Sequence, residues 1–289
     1  MKRKINGDKV IEIIAYLILI AFCIAIAFPI MQVVTISMSP PHVINKIGFH
    51  FVPTEFDWTG YKQVLGDELV WNSYKNTLIR TALGLGVSLL ISVLGAYPLS
   101  KKNLPNRRFW MTLFVFTMYF SGGMIPTYLL VKKIGIIDTV WALVLPSALN
   151  VYNLIILRNF FEGIPNEIEE SAKLDGAGSF QVLFLIVLPL AKAVLATVAL
   201  WVGVASWNDW FQCMIYIHDD KKYVLQYILR RILTQGLDPN ANVATNVEMI
   251  STEATKMAAL VVTMVPILCV YPFLQKYFVK GVMLGAVKG

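Results

Sequence analysis

A small set of polar side chains lies inside a long apolar run around residue 209, where they are suited to contact a polar solute. Trp201, Asn208, Asp209, Gln212 and Tyr216 fall within one arc of about 100° if this run is a helix turning about 100° per residue. Amides and carboxylates bond to hydroxyl groups, and aromatic rings pack against C–H faces. Because polar residues inside apolar spans often mark a transport pathway, this stripe predicts a path for a sugar.

The same polar residues have a structural alternative. Amide and acidic side chains also hold helices together inside a membrane, and Asp209 could pair with Arg80 in another apolar run. Both interpretations turn the side chains inward, since an ionisable group is unfavourable against lipid. Asn150 and Asn153, in a third apolar run, have the same two interpretations.

An acidic segment that ends in glycine, residues 164–178, is the second place where residue types and spacing indicate a specific task. Pro165 suits the first turn of a helix, where its missing N–H needs no partner. Three glutamates at 167–170 precede Lys173, the order that the helix macrodipole favours. Gly176 or Gly178 can end the helix in the left-handed conformation. The segment therefore predicts a polar helix of about three turns.

Residues for catalysis, metal binding or nucleotide binding form no recognisable pattern in the sequence. Cys23, Cys213 and Cys269 are isolated in apolar runs, which indicates buried thiols rather than a metal or redox centre. The histidines lack zinc-site spacing, and there is no GxxxxGK[ST] loop. We expect no metal, no cofactor and no enzymatic activity in this chain. If ATP with Mg²⁺ drives the protein, another subunit must bind it.

The composition is typical of a membrane protein. Of the 289 residues, 57% are hydrophobic and 15% are charged, whereas soluble domains have about 45–50% and 25%. A span needs about 20 apolar residues, and six runs qualify: 10–37, 76–99, 109–131, 139–157, 190–217 and 255–275. Because lipid cannot bond to an open backbone, all six are predicted as helices. The predicted fold is all-α, with one polytopic transmembrane domain over residues 1–289.

The basic residues set the predicted orientation. They flank the apolar runs and form no continuous patch, so the formal net charge of +7 does not indicate nucleic-acid binding. Four of them crowd residues 101–108, which assigns this loop, residues 158–189 and both termini to the cytoplasm. Lys132 and Lys133 then fall outside, against the rule. Residues 38–75 and 218–254 become outer loops, either ordered for an external partner or simple tethers.

The segment between the fourth and fifth runs resembles the EAA loop of ABC importer permeases. The family pattern is EAA, three residues, G, nine residues, I, one residue, L, P, and the residues here are Glu170, Ser171, Ala172, Gly176, Ile186, Leu188 and Pro189. The spacing matches throughout, and Ser171 is the single departure. The stretch 174–177 resembles the loop of carbohydrate importers. Residues 120–128 and 277–289 are similar to the LplC- or YtcP-like branch of these permeases.

The resemblance implies a MalG-like permease with the MetI-like fold, in a carbohydrate-uptake ABC transporter of a bacterial cell membrane. In that family the loop is a coupling helix that docks into a groove on the ATPase, where Glu170 would contact a basic residue. The implied coupling residues are Glu170, Ser171, Ala172, Asp175, Gly176, Ala177, Leu188 and Pro189. The implied partners, besides membrane lipid, are a second permease subunit, two ABC ATPase subunits and an extracytoplasmic sugar-binding protein.

Two other classes of protein remain as alternatives. An ion-coupled secondary transporter needs acids inside the membrane, of which only Asp209 clearly qualifies, and usually more spans. A membrane enzyme needs paired acids, a metal cluster or a nucleophile with its base, and the sequence offers no such set.

Overall fold

The computed structural model describes residues 7–44, 52–234 and 253–286, which form helices and loops without a β-strand. The all-α prediction is confirmed. Parts of both predicted outer loops, residues 45–51 and 235–252, lie outside the described residues, as do the last three residues of the tail.

Three helices are longer than the rest: α1 (Gly7–Ser37), α4 (Glu68–Ser100) and α15 (Glu253–Ala286). By length and composition, α1 and α4 can each cross a membrane alone. The most apolar part of α1 buries no residue within the chain. A helix that is apolar on all sides is typical of a membrane span, so lipid or another subunit must cover α1.

Two of the predicted spans, 109–131 and 139–157, are bent pairs of helices, and a third bent pair lies at the start of the predicted span 190–217. The angle is 109° between α5 (Arg107–Tyr119) and α6 (Met124–Lys133). It is 55° between α7 (Val140–Val144), with the 3₁₀ turn that follows it, and α8 (Val151–Glu162). The expectation of one continuous helix per span is wrong at these places. Among the described residues, the chain has up to five spans if each bent pair counts as one.

The third bend, of 84°, follows the acidic segment. Here α10 (Ser179–Val182), a π-helical turn (Leu183–Val187) and α11 (Leu188–Leu190) lead into α12 (Lys192–Asn208). The remaining helices are α2 (Pro41–Ile44), α3 (Thr59–Gly66), α9 (Asn166–Leu174), α13 (Phe211–Tyr216) and α14 (Leu225–Thr234).

The chain divides into two compact units, and the larger one contains residues 69–230 and 266–289. Its main core joins α4, α8 and the segment from α10 to α12. The buried side chains at the centre of this core are Val93, Ala96, Leu99, Leu154, Leu157, Phe161, Val182, Leu183, Val187, Ala191 and Val198.

Small residues on α4 allow the neighbouring helices to approach closely. A Cβ atom at Gly95 would lie 2.9 Å from Leu154 Cδ1, and one at Gly84 would lie 3.2 Å from Ser206 Oγ. Side chains at these two positions would force the Leu154 and Ser206 side chains to shift. Close approach through small residues is the usual means of packing helices in membranes.

Asp138 organises the loops at the N-terminal end of α4. It adopts a left-handed φ of 63°, and its carboxylate accepts bonds from the backbone N–H groups of His218 (3.1 Å) and Asp219 (3.2 Å) and from Lys222 Nζ (3.3 Å). Partial burial raises the pKa of Asp138, but these bonds and the Lys222 charge outweigh it and lower the pKa below the ordinary value of 3.8. Asn76 of α4 holds the same loop by donating to the Lys221 carbonyl at 2.8 Å.

The smaller unit contains residues 1–68 and 231–265. In it, α3 packs beside the start of α15, where a Cβ atom at Gly60 would lie 3.1 Å from the Thr255 backbone. Thr255 also donates to Gln63 at 2.9 Å. Asp57 accepts bonds from the N–H and the hydroxyl of Thr59 at the start of α3, which lowers the pKa of Asp57.

Candidate functional site

The acidic segment forms the short helix α9, as the sequence predicts. It has nine residues, about two and a half turns, and Pro165 lies at its N-cap, just outside the first turn. Two glutamates occupy the first turn, and Lys173 lies in the last. This charge order stabilises the helix dipole at both ends.

Gly176 ends α9, which decides between the two glycines that the sequence left open. Its φ is +87°, its N–H donates to the Lys173 carbonyl at 3.0 Å, and the Ala177 N–H donates to the Ala172 carbonyl at 2.9 Å. These two bonds form a Schellman motif, which requires a left-handed residue between them. Gly178 has a different task, since it precedes α10 and donates its N–H to Gln181 Oε1 at 2.8 Å.

The predicted coupling residues lie on two faces of α9. Ala172 and Ala177 are partly buried and pack against the main core of the larger unit. Glu170, Ser171 and Asp175 are exposed on the other face. Leu174 is 89% exposed beside them. A short helix that presents acidic groups and one bare leucine has the chemistry to dock with a partner.

The end of the motif, Leu188 and Pro189, follows the π-helical turn. A proline ring clashes with the carbonyl four residues earlier, which here belongs to Leu185. Leu185 lies inside the π turn, whose wider spacing suits a following proline because the regular α-helical bond is already absent. Leu188 packs on the core, and the chain bends directly after this segment.

Two ion networks tie α8 and α9 to the C-terminal end of α4. In the first, Glu162 of α8 pairs with Arg107 at 2.7 Å and with Arg158 at 2.5 Å. Both arginines also donate to the Leu99 carbonyl, at 2.8 Å and 3.4 Å. In the second, Glu169 of α9 pairs with Lys101. The sequence interpretation singled out Glu170 and did not foresee the inward-facing Glu169.

A cavity of about 520 Å³ lies between α4, α8 and α12. Its polar wall consists of Arg80, Ser88, Ser147, Asn150, Asn153, Ser206 and Asp209. Tyr152 and Trp201 line it as well, with their ring centroids 6.1 Å apart. Hydroxyl, amide and aromatic groups in one cleft match the groups and ring faces of a sugar. Asn150 also caps α8, since its side chain accepts the N–H of Tyr152 at 2.9 Å.

The predicted stripe on the fifth span does not form one face, because the helix is interrupted between Asn208 and Phe211. Of its five members, Trp201 and Asp209 line the cavity. Asn208 is exposed and bonds to Gln226 at 3.4 Å. Tyr216 is buried and stacks on Tyr128, with ring centroids 6.1 Å apart.

Arg80 holds this interruption together, and so the structural alternative from the sequence is observed. The Arg80 guanidinium is almost fully buried and pairs with the Asp209 carboxylate at 2.5 Å. It also donates to the backbone carbonyls of Ser206 (2.9 Å) and Asp209 (2.7 Å) and to the Gln212 side chain (3.2 Å). Gln212 is therefore a structural partner of Arg80, whereas Asp209 both pairs with Arg80 and faces the cavity.

Sequence reasoning missed Tyr152 and the serines that line the cavity. Ser88 and Ser92 are buried four residues apart on α4, a helical spacing that places them on one face. That spacing was the available signal for a polar face on α4. Which neighbour faces Ser88 depends on packing, and no local pattern encodes it.

Comparison with known proteins agrees with this architecture. Residues 1–284 match the family described as binding-protein-dependent transport system inner membrane component. The chain is 38% identical over 284 residues to the polygalacturonan/rhamnogalacturonan transport system permease protein YtcP of Bacillus subtilis, covering 98% of this chain and 99% of YtcP. It is 41% identical over 263 residues to the protein LplC of the same organism, covering 90% and 89%.

A solved structure has the same fold. It is a chain of a bacterial ABC transporter involved in the import of the acidic polysaccharide alginate, with 33% sequence identity and a TM-score of 0.86. The match covers 96% of this chain and all of the other. The resemblance to ABC importer permeases that the EAA-like loop indicated is confirmed, and the chain belongs to the family of binding-protein-dependent transport system inner membrane components.

Proposed function

We propose that this chain is the membrane-spanning permease subunit of an ATP-driven importer that carries a sugar or an oligosaccharide. A second permease subunit, two ABC ATPase subunits and an extracytoplasmic sugar-binding protein complete the transporter. The chain hydrolyses no ATP itself, and it receives the effect of hydrolysis in a partner through α9.

The geometry of α9 is the observation that carries this proposal. The helix is anchored on one face by Ala172, Ala177 and the buried Glu169, and it exposes Glu170, Ser171 and Leu174 on the other. A helix held in this way transmits a displacement of its exposed face to the core without bending. The exposed acid suits a basic groove on the ATPase.

The orientation proposed from the sequence has support in the arrangement of charges. The ion pair of Glu169 with Lys101 places α9 beside the basic loop 101–108. That loop is cytoplasmic by the positive-inside rule, so α9 faces the compartment that contains ATP. The Asp138 loop, at the other end of α4, then faces the binding protein. With α15 (Glu253–Ala286) as the sixth span, both termini are cytoplasmic.

The cavity of the larger unit is the proposed passage for the cargo. Trp201 and Tyr152 offer ring faces, and Asn150, Asn153 and Asp209 offer bonding groups to sugar hydroxyls. The named cargoes of YtcP and of the alginate transporter are polysaccharides. We propose an oligosaccharide for this chain on that basis.

The ion-coupled alternative loses its main support. It relied on Asp209 as a free intramembrane acid, and Asp209 is paired with Arg80. An acid that is held in a structural ion pair with a residue of another helix is not a free site for a coupling ion.

The proposal is tested by recovering the assembled transporter. The tagged chain is purified from gently solubilised native membranes, and the proteins that accompany it are identified by mass spectrometry. We expect an ABC ATPase, a second permease and a binding protein, whose bound ligand identifies the cargo. The complex is then placed in proteoliposomes, where uptake of that ligand should require ATP on the α9 side. Uptake driven by a proton gradient, with no ATPase present, would refute the proposal.

A further inference from the structure

Two charged residues outside the EAA-like pattern connect α9 to α4 directly. We propose that the ion pair between Glu169 and Lys101 is the joint through which α9 moves α4 during transport, which makes both of them positioning residues. The inference rests on the proposed function, since it assumes that an ATPase displaces α9.

The burial of Glu169 separates it from the other acids of α9. Its side chain is 6% exposed, and that of Lys101 is 22% exposed, whereas Glu167 and Glu170 are exposed. A buried carboxylate loses its hydration and persists only with a close partner. Water competes readily for the charged groups of an exposed ion pair, whereas a buried ion pair keeps its geometry when one of its helices is displaced.

Lys101 is also held in place at the C-terminal end of α4. Lys101 directly follows the last residue of α4, and its N–H donates to the Pro98 carbonyl at 3.1 Å. Its Nζ lies 4.5 Å from the centre of the Tyr97 ring. The Tyr97 hydroxyl in turn donates to Glu169 at 3.4 Å. The ammonium and the carboxylate are therefore fixed against the same last turn of α4.

The middle of the same helix reaches the cavity. Arg80, which binds the interruption between α12 and α13 and lines the cavity, precedes Ser100 by 20 residues. This stretch of helix is about 30 Å long, and α4 continues without a break from Glu68 to Ser100. A displacement of Lys101 along α4 consequently displaces Arg80 at the wall of the cavity.

The apolar contacts of α9 do not provide the same connection. Ala172 and Ala177 attach α9 to the core through small, non-directional contacts. They keep the helix in place but allow it to slide. The ion pair defines a direction and a partner, so its loss should separate ATP hydrolysis from transport even where the transporter still assembles.

The test measures sugar imported per ATP hydrolysed in proteoliposomes that contain the complete transporter. Glu169→Gln and Lys101→Met should each lower this ratio about tenfold, a usual size for coupling between sites. The exchange Lys101→Glu with Glu169→Lys should restore it to within about twofold of the wild-type ratio. Lys102→Met is the matched control, because it removes a neighbouring exposed charge and should leave the ratio unchanged.

Each outcome decides the question. A wild-type ratio in assembled Glu169→Gln transporters overturns the joint, as does a charge exchange that fails to recover the loss. If Lys101→Met fails to assemble, the nearly isosteric Glu169→Gln decides alone. A wild-type transporter without ATP-driven uptake would overturn the proposed function itself, which is a different result from normal uptake in the variants.

Discussion

The pair of Arg80 and Asp209 allows a quantitative prediction. Asp209→Asn removes the negative charge but keeps a side-chain oxygen, so the bonds that Asp209 Oδ1 accepts from the N–H groups of Phe211 (2.9 Å) and Gln212 (3.3 Å) can persist. The start of α13 is thereby preserved. The substitution leaves the positive charge of Arg80 without a negative partner, and the Arg80 side chain is only 3% exposed.

The expected loss of stability follows from this geometry. Removing one partner of a buried ion pair costs about 3–5 kcal/mol. The low end applies, because the Asp209 side chain is 25% exposed and Arg80 retains its bonds to two backbone carbonyls. A loss of about 3 kcal/mol corresponds to a decrease in Tm of about 6 °C for a chain of this size.

The assay is thermal unfolding of the purified chain in detergent, followed by loss of the monodisperse peak in size-exclusion chromatography. Asp220→Asn is the control, since Asp220 is an exposed acid, and its Tm should match the wild type. A Tm for Asp209→Asn equal to the wild-type value would refute the argument.

Three further predictions address α9, the Asp138 loop and the cavity. The Cβ atom of Gly176→Ala would meet no atom within 4 Å, but the alanine would be forced to a φ of +87°. This strain of about 1 kcal/mol should lower the amount of sugar imported per ATP hydrolysed. Gly178→Ala lies in ordinary backbone and should leave that amount unchanged. Asp138→Asn should lower Tm at pH 7. The pKa of Asp138 is lowered in the folded chain, so the stability that its carboxylate contributes is complete above the ordinary pKa of 3.8 and is lost as the pH falls further. The Tm values of the wild type and of Asp138→Asn should therefore converge at such low pH, and a constant difference would contradict this. Trp201→Ala should raise the sugar KM about five- to tenfold, a usual effect of one aromatic contact, while Trp71→Ala, outside the cavity lining, should leave KM unchanged; equal KM values in radiolabelled uptake would exclude Trp201 from the passage.

The helix α9 could be predicted from sequence because its determinants are local. A proline before it, acids in its first half and Gly176 after it specify where a helix begins and ends, independently of the rest of the chain. The inward position of Glu169 could not be predicted in this way. It depends on which face of α9 meets the core, and that choice is made by contacts with distant residues of α4 and α8.

The bends within the spans could not be predicted because the apolar composition of a span conceals a local break in its helix. Gly122, Gly123 and Asn150 interrupt the apolar runs only slightly. In the structure, however, Gly123 adopts a φ of 90° and Asn150 starts a new helix. The predicted stripe from Trp201 to Tyr216 assumed one continuous helix, and Arg80 from another helix stabilises the interruption that divides it.

The turn that ends α9 is formed by main-chain hydrogen bonds, so the end of the helix does not depend on its exposed side chains. The Schellman turn depends on Gly176 and on backbone atoms, while the outward-facing side chains at 170, 171 and 174 take no part in it. Substitutions at these three positions can therefore change the surface that α9 presents without altering the backbone that supports it.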